Sequence, residues 1–136
     1  GSVFVAAHFG GRPANKQFHR PELERLIEIF SEHRRSENWA YTFWSERQLG
    51  IIAGGDDHIG RPGNGFLAYS DKGKEQSFGL GLVAIQAKEF TREGVFRALY
   101  HKQVYATTGA RILLNVTVNG FPMGSDDVVC NGPPVI

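Results

Sequence analysis

Cysteine is nearly missing from this sequence: among 136 residues, Cys130 is the only one. A single thiol excludes an internal disulfide and a zinc–thiolate cage, and it says little about compartment. An excess of charge of one sign is missing too. Fifteen Lys and Arg stand against fourteen Asp and Glu, a formal net charge of +1. No block of like charge stands out, so electrostatics give no support to a nucleic-acid or membrane-surface role. Long hydrophobic runs are also lacking. The longest, such as Leu80–Ile85, fall far short of the ~20 residues that span a bilayer. No secretory signal pattern, internal repeat or low-complexity linker is visible. Without a Gly-x-x-x-x-Gly-Lys loop or a Gly-x-Ser-x-Gly elbow, nucleotide triphosphatase and serine-hydrolase functions fall away.

What is present suffices for one folded domain. The hydrophobic fraction is 41%, with ten Phe, four Tyr and two Trp, enough to bury a core. Seventeen Gly are many for this length. They cluster at Gly10-Gly11, Gly54-Gly55, Gly60 to Gly65 and Gly79 to Gly81. Such clusters predict tight loops where backbone approaches something closely.

Val3–Ala7 is a short apolar run ending on His8, and it predicts a buried strand delivering His8 into a loop. Pro21–Arg34 fits a helix by the spacing of Leu23, Leu26, Ile27 and Phe30, yet it also fits one helical turn followed by a strand. Trp39–Gln48 predicts a helix, Leu49–Ala53 a second buried strand, and Gly60–Gly79 a long loop. A third strand is expected over Leu80–Ala87. Thr91 then caps a helix running to Lys102, with Val95, Phe96, Leu99 and Tyr100 on its apolar face. Val104–Ala106 is a fourth strand. Ile112–Val118 alternates cleanly and meets Asn119-Gly120, a hairpin signal. Buried strands alternating with helices predict a parallel α/β sheet or barrel, followed by antiparallel β structure.

The sharpest chemical feature is Asp56-Asp57-His58 at the end of a buried strand. Carboxylate and imidazole two residues apart can face one ion from a rigid base, and that mixture suits zinc, manganese or iron. The competing interpretation is a solvated turn, because Asp and Gly are common there. His8 ends another strand; alone it would be structural, and the second strand-end His strengthens it as a ligand. Arg61, three residues past His58, either clamps an anionic substrate or is solvated surface. Glu28 and Glu37 are the carboxylates nearest the first strand and loop, as ligand or general base or merely solvated. His19, His33 and His101 have no strand-end context and fit surface or packing positions. Tyr105–Arg111 offers two hydroxyls and Arg111 after a strand; a tight turn is favoured over phosphate contact.

Taken together, AHFGGRPAN, EIFS, AGGDDHIGRPG, FTREGVFRALYHKQVYATTGARI and VNGFPMG resemble the C-terminal half of a bacterial family in the PHP (polymerase and histidinol phosphatase) superfamily. The similarity runs over roughly Val3–Gly124. It implies a partial, distorted (β/α)7 TIM-like barrel over residues 1–111, with an appended β region beginning over residues 112–136. It implies a cluster of divalent metals at the C-terminal strand ends, hydrolysis of phosphate esters, Asp56 and His58 as metal ligands, and His8 as a further ligand or proton donor. Glu28 falls on the family's Glu-Ile-x-Ser strand, which favours a strand over Leu26–Ser31 and makes Glu28 a further ligand candidate. Arg12, Arg61 and Arg111 are the expected contacts to a small anionic substrate.

One departure matters: PHP members open with a His-x-His motif, and none occurs here. The expectation is therefore a piece of a metal-dependent hydrolase, with metal held weakly or at partial occupancy. The alternative is an inactive PHP-like module, and a weaker third possibility is an amidohydrolase-like enzyme acting on C–N or C–O bonds. A barrel cut in mid-sheet would leave open edges, so a homo-oligomer is expected.

Overall fold

The computed structural model describes residues 3–8, 15–31, 46–56, 81–125 and 127–136. Three strands, β1 (Val5–Ala7), β2 (Glu24–Phe30) and β3 (Gly50–Ala53), form a parallel sheet in that order. As the central strand, β2 has both faces covered. Leu26 and Ile27 are adjacent in sequence and both are fully buried, and Phe30 and Ser31 follow them inward. Burial on both faces is what a central parallel strand requires, and it replaces the alternation of a half-wet sheet. This settles the Pro21–Arg34 ambiguity in favour of a strand. One face carries the core of Ala7, Ile27 and Leu49, with Ile29 and Ile51 packed against it. On the other face Gly50 admits Leu26: a methyl at Gly50 would sit 2.7 Å from Leu26 Cδ2.

Beyond β3 the chain forms β4 (Leu82–Ile85), helix α1 (Arg92–Tyr100) and β5 (Val104–Thr107). Thr91 caps α1 as expected: its Oγ accepts from Gly94 N at 3.0 Å. The expected apolar face, Val95, Phe96, Leu99 and Tyr100, is only half-buried, and Gly94 and Ala98 make the closest approach. The helix is held to the first sheet by Phe96, whose ring lies 5.2 Å from that of Phe4, and by Arg25, whose Nε donates to Tyr100 O at 3.0 Å.

Here the structure corrects the expected architecture. β4 and β5 pair antiparallel, from Leu82↔Thr107 to Ile85↔Val104, where a (β/α)7 barrel needs every strand parallel. Gln86 N donates to Gln103 O at 2.9 Å and extends the ladder by one step. The helix therefore belongs to the loop of a long hairpin and is not a crossover between parallel strands. Lys102, with φ +59, turns the chain out of α1 and straight into β5. The described residues hold helix α1, a helical stretch at Glu46-Arg47 and three small sheets, and no closed barrel.

The last pair, β6 (Thr117–Val118) and β7 (Phe121–Pro122), is antiparallel. Asn119 and Gly120 join them with φ of +51 and +79, the two positive values that a tight Asn-Gly hairpin turn requires. The strand expected over Ile112–Val118 shrinks to two residues. Tyr105 explains this, because its hydroxyl donates to Ile112 O at 2.6 Å and accepts from Leu114 N at 3.0 Å. Those backbone groups are thereby satisfied without a ladder. Residues 128–136 form no strand either; Val135 is tied instead to Asn119 through N···Oδ1 and O···N contacts of 2.9 and 2.8 Å. The helix expected over Trp39–Gln48 lies mostly outside the described residues, and the long loop over Gly60–Gly79 lies wholly outside them. Among the described residues, no helix is long and apolar enough to cross a membrane.

Candidate functional site

The parallel register brings three of the sequence-derived site residues together. Ala7 pairs with Ile27, so His8 leaves β1 beside Glu28 on β2. Glu28 pairs with Ile52 on β3, and Gly54 N donates to Phe30 O at 3.1 Å where β3 ends. Gly54 and Gly55 then lead to Asp56, whose backbone is left-handed, with φ +53. Asp tolerates that region better than most side chains, and such residues concentrate at functional sites. The result is a cluster at the C-terminal ends of neighbouring parallel strands, the edge where open α/β sheets place their chemistry.

Within the cluster the imidazole lies between two carboxylates. His8 Nδ1 meets Glu28 Oε2 in a short contact, and His8 Nε2 faces Asp56 Oδ2 at 3.6 Å. Burial divides the roles: the Glu28 side chain is 13% exposed and that of Asp56 20%, against 53% for His8. The carboxylates form the floor and the imidazole the rim. Gly54, foreseen only as part of a tight turn, makes this possible, since a methyl there would lie 3.0 Å from Glu28 Oε1.

The separation of Nε2 and Oδ2 tests the fit to a metal. Two donors at ~2.0–2.2 Å from one ion, at a tetrahedral angle, stand about 3.4 Å apart. The observed 3.6 Å matches two ligands of one ion and is too long for a direct hydrogen bond. Nitrogen plus carboxylate oxygen suits zinc, manganese or iron. Two donors do not complete a shell. Among the described residues, no group of three or more His, Cys, Asp or Glu is arranged to hold an ion.

The remaining candidates separate. Asp57, His58 and Arg61, together with Arg12, His33 and Glu37, lie outside the described residues. Arg111 is exposed, beyond the end of β5. That end lies on the side of the cluster, because Thr107 pairs with Leu82 and a methyl on the adjoining Gly81 would sit 2.9 Å from Gly54 O. The Thr107 hydroxyl at the end of β5 holds the chain as it bends away: Gly109 N donates to Thr107 Oγ1 at 3.4 Å, with Gly109 at φ +115. His19 is a packing residue, its side chain 8% exposed and its Nδ1 against Glu24 Oε2. His101 is exposed and stacks edge-on to Tyr100, with ring centroids 5.5 Å apart.

Comparison with known proteins places the chain in a family. The family described as "Protein of unknown function (DUF3604)" matches residues 56–128. An uncharacterized protein of Chlamydia trachomatis serovar D is 35% identical over 131 residues, covering 80% of this chain and 20% of that protein. One from Chlamydia muridarum is 34% identical over 133 residues, covering 82% and 20%. One from Chlamydia pneumoniae is 31% identical over 127 residues, covering 78% and 20%. The chain thus spans about a fifth of the length of the curated relatives it matches. No solved structure matches. The family match begins on Asp56 itself and takes in more than half of the residues: this chain belongs to the DUF3604 family.

Proposed function

We propose that this chain forms part of a divalent-metal site in a hydrolase acting on phosphate esters, within the PHP superfamily that its motifs resemble. The observation that supports this most is the placement of His8 Nε2 and Asp56 Oδ2 at ligand-to-ligand separation beyond the ends of β1 and β3, with Glu28 on the intervening β2 behind the imidazole. His8 and Asp56 would hold the ion, and His58 and Glu28 are the further candidates carried by the motif resemblance. A divalent ion there would lower the pKa of a bound water and stabilise charge on a phosphoryl oxygen. The chain's own residues supply the rest. The half-buried Glu28 keeps the imidazole in place, and Arg12, Arg61 and Arg111 are the proposed contacts to a small anionic substrate.

A second interpretation, a catalytically inactive PHP-like fragment or binding module, draws support from the incomplete donor set among the described residues. Metal analysis after purification without chelator tests both. The expected result is less than one equivalent of metal per chain and little cleavage of a generic phosphoester such as p-nitrophenyl phosphate. A full, tightly held binuclear site built by this chain alone would overturn the proposal that it supplies only part of the donor set.

We also propose that the chain self-associates. Among the described residues β1 is an edge of the three-stranded sheet; Val5 on it is 47% exposed, and Val3 just before it 63%. Open apolar edges recruit further strands. Light scattering at low micromolar concentration is expected to report at least a dimer, and a monomeric mass would refute self-association.

A further inference from the structure

The position of Glu28 assigns it a role different from the one its motif suggests. A carboxylate on a metal-site strand is naturally taken for a ligand. Yet one of its oxygens is engaged by His8 Nδ1, and the other lies against Gly54, where a methyl would stand 3.0 Å away. It is His8 Nε2, on the opposite side of the ring, that faces Asp56. We propose that Glu28 is a positioning residue. It accepts a hydrogen bond from His8 Nδ1–H, locks the ring in the Nδ1–H tautomer, and so keeps the Nε2 lone pair directed toward Asp56.

This rests on the metal reading for its purpose, but not for its geometry. A neutral imidazole carries one proton on one of two nitrogens, and the group bonded to one nitrogen decides what the other can do. A carboxylate behind a metal-bound His both orients the ring and makes the ligating nitrogen a better donor. The structure supplies the conditions for this role. Glu28 sits on the central strand β2, its side chain is 13% exposed, and the β1–β2 register fixes it beside His8. By contrast His8, 53% exposed at the end of an edge strand, has no such support of its own.

The test is long-range 1H–15N correlation spectroscopy of the histidine rings, recorded on the metal-free chain with His8 in its neutral form. Zinc titration of the same samples accompanies it. The wild-type chain should show His8 as the Nδ1–H tautomer. Glu28→Gln, whose amide oxygen still accepts, should retain that tautomer and lose only part of the zinc affinity. Glu28→Ala should move His8 toward the Nε2–H tautomer, with a loss of about 10–100-fold in zinc affinity. A wild-type Nε2–H tautomer would overturn the inference. So would a tautomer unchanged in Glu28→Ala with zinc binding lost equally in both variants, since that pattern belongs to a direct ligand. If Glu28→Ala fails to fold, the wild-type tautomer and the Gln variant still decide. The expected tautomers in a chain that binds no zinc would uphold the positioning role while refuting the metal site itself.

Discussion

Asp56→Asn is expected to weaken zinc binding at least ~100-fold, or about 2.7 kcal/mol. Even groups that act only through a ligand are worth about 10–100-fold, so a ligand should be worth no less. The substitution isolates the charge. Asn has nearly the same shape as Asp and is among the side chains that best tolerate the left-handed backbone found at Asp56, with φ +53. The fold should therefore survive, and circular dichroism should match the parent. His8→Ala should lose zinc to a similar degree. The double variant should lose little more than either single one, because residues that share one ion do not act independently. Calorimetric titration of the three variants is the measurement. Unchanged affinity in Asp56→Asn would remove the central support for a metal at this strand edge.

Ile27→Ala should destabilise the chain by about 3–4 kcal/mol. The Ile27 side chain is 0% exposed at the centre of the cluster it shares with Ala7 and Leu49. Three carbons are removed at ~0.8 kcal/mol each, and the cavity left behind adds the remainder, since a covered central strand cannot relax outward. For a chain of 136 residues this corresponds to a fall of roughly 10 °C in Tm. A second consequence follows from the register. Ile27 pairs with Ala7 and immediately precedes Glu28, so the same substitution should loosen the alignment of His8 with Glu28. Leu113→Ala, at a side chain 98% exposed, is the control and should leave Tm within about 2 °C. Calorimetric scans showing less than ~1 kcal/mol lost in Ile27→Ala would mean that this sheet is not the stabilising core.

Several features were legible in the sequence because their causes are local. Thr91 caps α1 through an atom three residues away. Asn119-Gly120 turns the final hairpin because both residues accept positive φ. The apolar runs before His8 and Asp56 became β1 and β3 because a short apolar run favours a strand by its own composition, although β1, expected to be buried, is an edge strand with Val5 exposed. The ends of those runs placed His8 and Asp56 at strand termini, where metal ligands were expected.

Tertiary structure alone decided strand direction and the partner of each polar group. Composition fixes that Leu82–Ile85 and Val104–Thr107 are strands, but an apolar strand reads the same in either direction. Its sense depends on where the intervening chain re-enters, here through Lys102 at φ +59 and the Gln86–Gln103 pair. That one antiparallel ladder turns an expected barrel into a parallel sheet with a hairpin beside it. The alternation of Ile112–Val118 likewise could not reveal that the Tyr105 hydroxyl would satisfy the backbone at Ile112 and Leu114. Nor could spacing show that Glu28, twenty residues from His8, would meet its Nδ1 while Asp56 faced its Nε2. Contacts of that kind are set by the register between strands distant in sequence, which no local pattern encodes.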